Sequence, residues 1–262
     1  MSEILRDIVF TALFGKYETL NELVIEKGPN CRYVCFTDDS TLRSETWEIV
    51  VVKSSLQESP SRSSREIKML GHRYFPAESR TLYIDNTVKL KVDGSRVLDF
   101  WLKDGDLAFM RHYSRRTVRG EFFACSCYGL DEQDKIWNQY NFYRQNFRKI
   151  LRNRPYWGGM IARVNNSQAD KFMKTWNDQF NQYTRRDQLS INVSEHLSGV
   201  SIKTIEGGND SSEWHDWPIH SNRNTNMRET FSGKRFRKIR IIVNGFRFGI
   251  YFYVPALRVL RK

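Results

Sequence analysis

Apolar and polar positions along the chain fall into alternating short and long periods. Ile8 to Leu13 is an unbroken apolar, β-branched run followed by Phe14-Gly15-Lys16-Tyr17, which predicts a buried strand and a glycine-containing turn. "CRYVCFTDD" (31–39) predicts a second strand ending on Asp38 and Asp39, and "WEIVVVK" (47–53) a third. A Ser/Pro-rich loop then leads into a short helix from Ser61 or Ser63 to about His72, with Arg62, Arg65 and Lys68 near one polar face. "TLYIDNTVKL" (81–90) is a strand that stops abruptly on Asp85 and Asn86; "DGSRVLDFWLKDG" reads as a helix and turn, and "DLAFMRH" as a further strand.

From about Arg119 the period lengthens. Ile136, Tyr140, Tyr143, Phe147 and Ile150 recur at helical spacing, with Pro155 beyond the end. "WGGMIARVN" predicts a short strand after paired glycines. The next helix has Ser167 as its expected N-cap and one face of Phe172, Trp176 and Phe180. Residues 205–235 read as a long polar loop, and the tail alternates around Asn244-Gly245, a hairpin signal. Strands and helices alternating over the first 110 or so residues predict an α/β fold of nucleotide-binding type, continuous rather than split by a linker.

Composition narrows the function classes. Of 262 residues, 40% are hydrophobic and 14% aromatic, enough for a real core. No stretch approaches the ~18 apolar residues of a membrane span. Glu3, Arg6 and Asp7 in the opening segment argue against a signal peptide. Cys31, Cys35, Cys125 and Cys127 have neither disulfide-framework nor zinc-ribbon spacing and read as reduced core thiols of a cytosolic protein. The net charge of +12 calls for an anionic partner: nucleic acid, a lipid surface or a phosphorylated small molecule.

Several constellations carry candidate chemistry. The Asp85-Asn86-Thr87 turn is either ordinary strand-ending chemistry or, in an open α/β sheet, a place for a divalent metal and a diphosphate. The Arg62, Arg65, Lys68 row is either a solvated helix face or a diphosphate clamp. Arg186-Asp187-Gln188 is a helix-end polar cluster or a group that positions an acceptor hydroxyl. His112, and the loop containing Trp214, His215, Trp217 and His220, offer imidazoles for a metal shell and indoles for stacking on sugar rings. P-loop, dinucleotide, nucleophile-elbow and zinc-protease motifs are missing.

In sequence order, "FTALFGKYETL", "CFTDD", Trp47, "R62-x-x-R65-x-x-K68", "LYIDNTVKL", "RHYSRRTVRGEF", "GGMIARVNN" and "RRDQLS" resemble a family of GT-A-type glycosyltransferases. The family includes plant mucilage-related hexosyltransferases and a relative named as an alkaline ceramidase, and was long catalogued as a domain of unknown function. The likeness covers roughly residues 8–195. It implies a GT-A-like fold: a Rossmann-like central mixed sheet flanked by helices, with a C-terminal β-hairpin extension. Residues 1–204 would form the transferase domain, its donor half at about 1–115 and its acceptor half at 116–204. Residues 205–262 would add the polar loop and a basic, aromatic extension packed on it.

The resemblance places Thr11, Ala12, Phe14 and Tyr17 at the nucleotide and Asp38 at the base or ribose. Arg65 and Lys68 would face the diphosphate, and Asp85 would stand at the first position of a D-x-D motif, with Asn86 beside it. Thr87 departs from that motif, so either a Mn²⁺ or Mg²⁺ shell of Asp85 with His215 or His220, or metal-independent binding by Arg65 and Lys68, is implied. Asp187 and Gln188 match the acceptor-side motif and would be catalytic, with His112, Arg186, Trp214 and Trp217 near acceptor or sugar. "DQLSIN" is similar to a stretch of retaining transferases. The expected function is transfer of a hexose or pentose from a nucleoside diphosphate sugar, UDP-linked in the first instance, to a glycan or lipid-linked acceptor hydroxyl. Arg235, Arg237, Lys238, Arg240, Arg247, Arg258, Arg261 and Lys262, interleaved with aromatics, predict peripheral contact with anionic membrane. The alternative is a nucleic-acid-binding protein without catalytic activity; dispersed cations and the lack of a recognition motif weigh against it. A lipid amidohydrolase lacks a metal-His or nucleophile motif.

Overall fold

In the computed structural model, described for residues 7–53, 59–219, 244–245 and 247–249, the chain is built on one seven-stranded mixed sheet. In chain order, its strands are β1 (Asp7–Leu13), β2 (Cys31–Thr37), β3 (Glu48–Val51), β4 (Arg80–Ile84), β6 (Leu107–Arg111), β7 (Tyr156–Val164) and β8 (Lys203–Ile205). They lie in the order β3-β2-β1-β4-β7-β6-β8, and β7 alone runs against the rest. Two short strands, β5 (Lys89–Leu90) and β9 (His215–Asp216), pair separately.

Side-chain alternation along β1 explains the layering. Ile8, Phe10, Ala12 and Phe14 enter one core with α1 (Pro60–Leu70) and α5 (Ser167–Gln182), built around Phe172, Trp176 and Phe180. Val9 and Leu13 enter the opposite core with Val97, Leu98 and Trp101 of α2 (Gly94–Trp101). A third cluster joins α3 (Val118–Tyr128) and α4 (Gln133–Asn146) to Leu189 and Val193, the latter on α6 (Ile191–Ser198). The mixed α/β sheet flanked by helices is therefore as expected.

Several local expectations change. The helix carrying Arg62, Arg65 and Lys68 starts earlier, with Pro60 in its first turn, where a missing N–H costs nothing. It ends at Leu70 and continues as a 3₁₀ turn through Tyr74. Asn166, not Ser167, caps α5: its extended backbone lets the side chain accept from Ala169 N at 3.0 Å. The second part of the chain completes the same sheet as the first, β7 inserting between β4 and β6. The first part of the 205–235 loop is tied down, with β9 pairing on β5 and Ile219 N donating to Thr87 O. Asn244 and Gly245 are helical rather than a hairpin turn; with Asn244 one helical turn before it, Phe248 buries against Trp137 and Tyr140. The rest of the expected hairpin, His220, and every tail cation named above except Arg247 lie outside the described residues.

Candidate functional site

The strand order reverses between β1 and β4: β2 and β3 lie on one side of β1, and β4 on the other. In open α/β sheets the crevice beyond the carboxyl ends at such a point is where ligands bind. The loop after β1 turns sharply there. Gly15 has φ +73°, and a Cβ on it would stand 2.4 Å from Pro60, so only glycine fits. Gly15 N donates to both carboxylate oxygens of Asp38, at 3.0 and 3.2 Å, tying the β1 and β2 loops together, and Lys16 pairs with Asp39 at 3.1 Å.

Six side chains converge at this crevice. Lys68 on α1 lies 2.7 Å from Asp187 Oδ2 and 3.4 Å from Asp85 Oδ1. Arg65 Nε stands 3.6 Å from the same Asp187 oxygen. Tyr83 donates its hydroxyl to Asp85 Oδ1 at 2.8 Å, and Lys68 lies over the Tyr83 ring. Tyr17 completes the group: burial pushes its phenol up to about 12, with Glu18 and Asp85 acting in the same direction and Arg65 opposing. Burial also works to raise the Asp187 pKa, but Lys68 and Arg65 overcome it and hold this carboxyl well below the usual carboxylate range. The side chains of Lys68 and Asp187 are 3% and 8% exposed, whereas Asp85 and Arg65 are 28% and 23% exposed, so solvent reaches the cluster from the Asp85–Arg65 side.

The cluster is held from below by residues that sequence reasoning did not single out. Arg163 on β7, fully buried, donates to Lys68 O and Met69 O at the end of α1 and to Thr81 Oγ1. Burial lowers its pKa to about 9, with Tyr83 and Asp170 opposing. The β6–β7 register jumps, Phe109 facing Ile161 and Met110 facing Trp157, which leaves the paired glycines in a bulge. A Cβ at Gly158 would lie 3.2 Å from Lys68 Nζ. Trp176 Nε1 donates to Asp187 O at 2.9 Å. Gln139 on α4 donates to Ser190 Oγ and accepts from Thr184 Oγ1, pinning the loop that carries Asp187.

The other sequence-selected residues fall elsewhere. Arg62, two helical steps of three from Lys68 and so 120° around the helix, donates to the carbonyls of Phe180 and Tyr183 instead of joining the clamp. Thr11, Ala12 and Phe14 are buried in the sheet and its core, and Thr11 Oγ1 makes no hydrogen bond. Asn86 uses its amide on Thr19 O and Asn21 N, fastening the β1 loop rather than facing the crevice. Gln188 is buried next to Asp187, its backbone N–H donating to Asp187 Oδ1. His112 and Arg186 belong to an adjoining cluster with Glu121, Arg115 and Cys125; His112 Nδ1 and Arg186 Nε are buried with no hydrogen-bond partner. Trp214 is buried and packs against the exposed ring of Phe100. Trp217 packs on Trp157 and donates to Thr87 Oγ1, which puts it at the rim of the Asp85 turn.

Among the described residues, the expected metal shell of Asp85 with His215 does not form. His215 is buried, stacked on Trp157, with Nδ1 bonded to Ser212 Oγ and Nε2 to Asn209 O, so neither nitrogen is free for a metal. Asp85 Oδ1 is occupied by Tyr83 and Lys68, and Asp187 is neutralised by Lys68 and Arg65. Among the described residues no group of three or more His, Cys, Asp or Glu could hold a metal ion.

The chain belongs to the family described as "TOD1/MUCI70, glycosyltransferase-like domain", which it matches over residues 5–204. It is 28% identical over 165 residues to the probable hexosyltransferase MUCI70 of Arabidopsis thaliana. That match takes in 59% of this chain but only 28% of the relative, so the chain spans less than a third of its length. Among solved structures, mouse xyloside xylosyltransferase 1 in its apo form aligns with 9% identity and a TM-score of 0.44, over 76% of this chain and 85% of that one. The apo WbbM bifunctional glycosyltransferase aligns with 9% identity and a TM-score of 0.43, over 76% of this chain and 38% of the other.

Proposed function

We propose that the protein transfers a hexose from a nucleoside diphosphate sugar, with UDP as the expected nucleotide, to a hydroxyl of a glycan acceptor. The observation that carries this reading is Lys68, bridging Asp85 and Asp187 beside Arg65 at the reversal point of the sheet. Family membership and the hexosyltransferase name of the relative support it. The nucleoside would lie against Tyr17 and the Gly15–Asp38 junction, the diphosphate at Arg65 and Lys68, and the anomeric carbon near Asp187. His112 and Arg186 would meet the acceptor, and Trp217 the sugar from the rim.

In the reaction the bond from the anomeric carbon to the diphosphate oxygen breaks and its electron pair goes to the diphosphate. The acceptor oxygen bonds to the same carbon and loses its proton. A carboxylate held at depressed pKa is a weak proton acceptor. Asp187 therefore suits stabilising positive charge at the sugar, and the leaving diphosphate takes the proton, which corresponds to retention of configuration.

The test is a panel of nucleoside diphosphate sugars scored for release of the nucleoside diphosphate and for a glycosylated product, with wild type and Asp187→Asn. One donor turned over by wild type and slowed at least ~10²-fold by the substitution is expected. NMR of the product anomer decides retention. If no donor is turned over and none raises the melting temperature, the reading is wrong.

A further inference from the structure

Cationic hydrogen-bond donors crowd the crevice. Lys68 carries three N–H donors and is shared unequally, at 2.7 and 3.4 Å, between two carboxylates. Arg65 Nε is buried and makes only a long, 3.6 Å ion-pair contact, with no hydrogen bond; Arg186 Nε, in the adjoining cluster and within electrostatic reach of Asp187, is likewise buried and unbonded. Of the carboxylate oxygens a cation would need, Asp85 Oδ1 is engaged by Tyr83 and Lys68 and Asp187 Oδ1 by Gln188 N, while Asp187 Oδ2 is ion-paired with Lys68 at 2.7 Å and makes no hydrogen bond. Buried donors without partners are rare in folded proteins, and unfilled donors beside a cation are what an anion's oxygens satisfy.

We propose that Lys68 and Arg65 take the place of a divalent cation at the donor diphosphate, so that the protein binds and uses its nucleotide without metal. This rests on the glycosyl-transfer reading above and says how that site handles charge. On donor binding, the diphosphate oxygens accept from the unbonded Arg65 Nε–H and share the Lys68 ammonium with the two carboxylates. As the sugar–oxygen bond breaks, the electron pair left on the diphosphate is met by the ammonium and the guanidinium. The structure equips Lys68 for this hand-over: Arg163 fixes the end of α1 through Lys68 O and Met69 O, and the missing Cβ of Gly158 leaves the ammonium room.

Isothermal calorimetry of the full chain with UDP, GDP, ADP and CDP, each in EDTA and then with excess Mn²⁺ or Mg²⁺, tests this. At least one of them should bind in EDTA, with metal changing its affinity by less than about tenfold, or ~1.4 kcal/mol. Binding that appears only with metal, or tightens tenfold or more, overturns the proposal while leaving glycosyl transfer standing. Binding of none under either condition removes the glycosyl-transfer reading and this proposal with it. Lys68→Met should weaken binding in EDTA roughly tenfold or more, and Lys68→Arg much less. Because Lys68→Met leaves Asp187 unpaired, the Lys68→Met/Asp187→Asn pair is measured beside it. Unchanged nucleotide affinity in that folded double variant would also overturn the role given to Lys68.

Discussion

The two ends of β4 are both held by ion pairs, and the pairs differ in kind. At the amino end, Arg80 meets Asp7 with two parallel bonds, Nε to Oδ1 at 2.7 Å and Nη2 to Oδ2 at 2.5 Å, and adds Asp99 at 2.7 Å. This is the fork geometry that satisfies guanidinium and carboxylate together. At the carboxyl end, Lys68 and Arg65 reach Asp187 and Asp85 at distances from 2.7 to 3.6 Å, and Arg65 Nε lacks a hydrogen bond. The first end is finished and serves stability. The second keeps bonding capacity in reserve, as a site that must accept a ligand does.

The largest expected effect comes from breaking the unfinished end. Lys68→Met leaves a buried carboxylate without its nearest cation and should cost about 3–5 kcal/mol by urea unfolding, besides the loss of nucleotide binding. Adding Asp187→Asn should restore much of the stability but none of the binding. Next, Arg80→Met should cost less, about 1–3 kcal/mol, because Arg80 is 31% exposed and solvent screens its pairs. Nucleotide binding measured on that variant should not move; a tenfold loss would mean the two ends are not independent.

Acid should separate wild type from Asp187→Asn. The Asp187 pKa is lower folded than its ordinary 3.8, so the stability it contributes is fully present above about pH 4 and is lost as pH falls further. The difference between the two unfolding curves should shrink below pH 4, and a difference that grows there would contradict the assigned pairing. A finer change is Gly158→Ala, whose Cβ would press on Lys68 Nζ. Turnover should fall several-fold with little change in melting temperature, since misplacing a reacting group by a fraction of an ångström is costly in rate. The smallest effect on turnover is expected for His215→Gln: a stability loss of about 1–2 kcal/mol and no change in the response to Mn²⁺.

Much of the sheet was legible because its strands announce themselves locally: β-branched runs closed by Asp, Asn or Gly at β1, β2 and β4. The charged core of the site was legible too, through the spacing of Arg65 and Lys68 and the order of motifs ending in Arg186-Asp187-Gln188. What positions it was not. Arg163 reads as one cation in an apolar strand, yet it holds a carbonyl 95 residues away; Gln139 reads as a polar helix residue, yet it pins a loop 51 residues on. Asn86 was placed at the donor because it adjoins Asp85, while its amide is spent on a loop 65 residues earlier. Such partners are set by tertiary packing, which periodicity does not record. Arg62 failed for a simpler reason: a spacing of three drifts around a helix, and two such steps turn the side chain toward α5.

The reversed strand β7 has a consequence for how the protein is made. Chains emerge from the ribosome amino end first and fold as their parts arrive. β1 to β4 and β6 are all synthesised before β7, yet β4 and β6 are joined in the sheet only through β7, which lies between them. Until residue 164 has emerged, the nascent sheet exists as two pieces with open edges, the kind that pair with other chains. The strand that closes those edges is also the one that brings Gly158 and Arg163 to Lys68. Closure of the sheet and assembly of the seat for Lys68 are thus a single event in biogenesis, and a chain released before it carries neither.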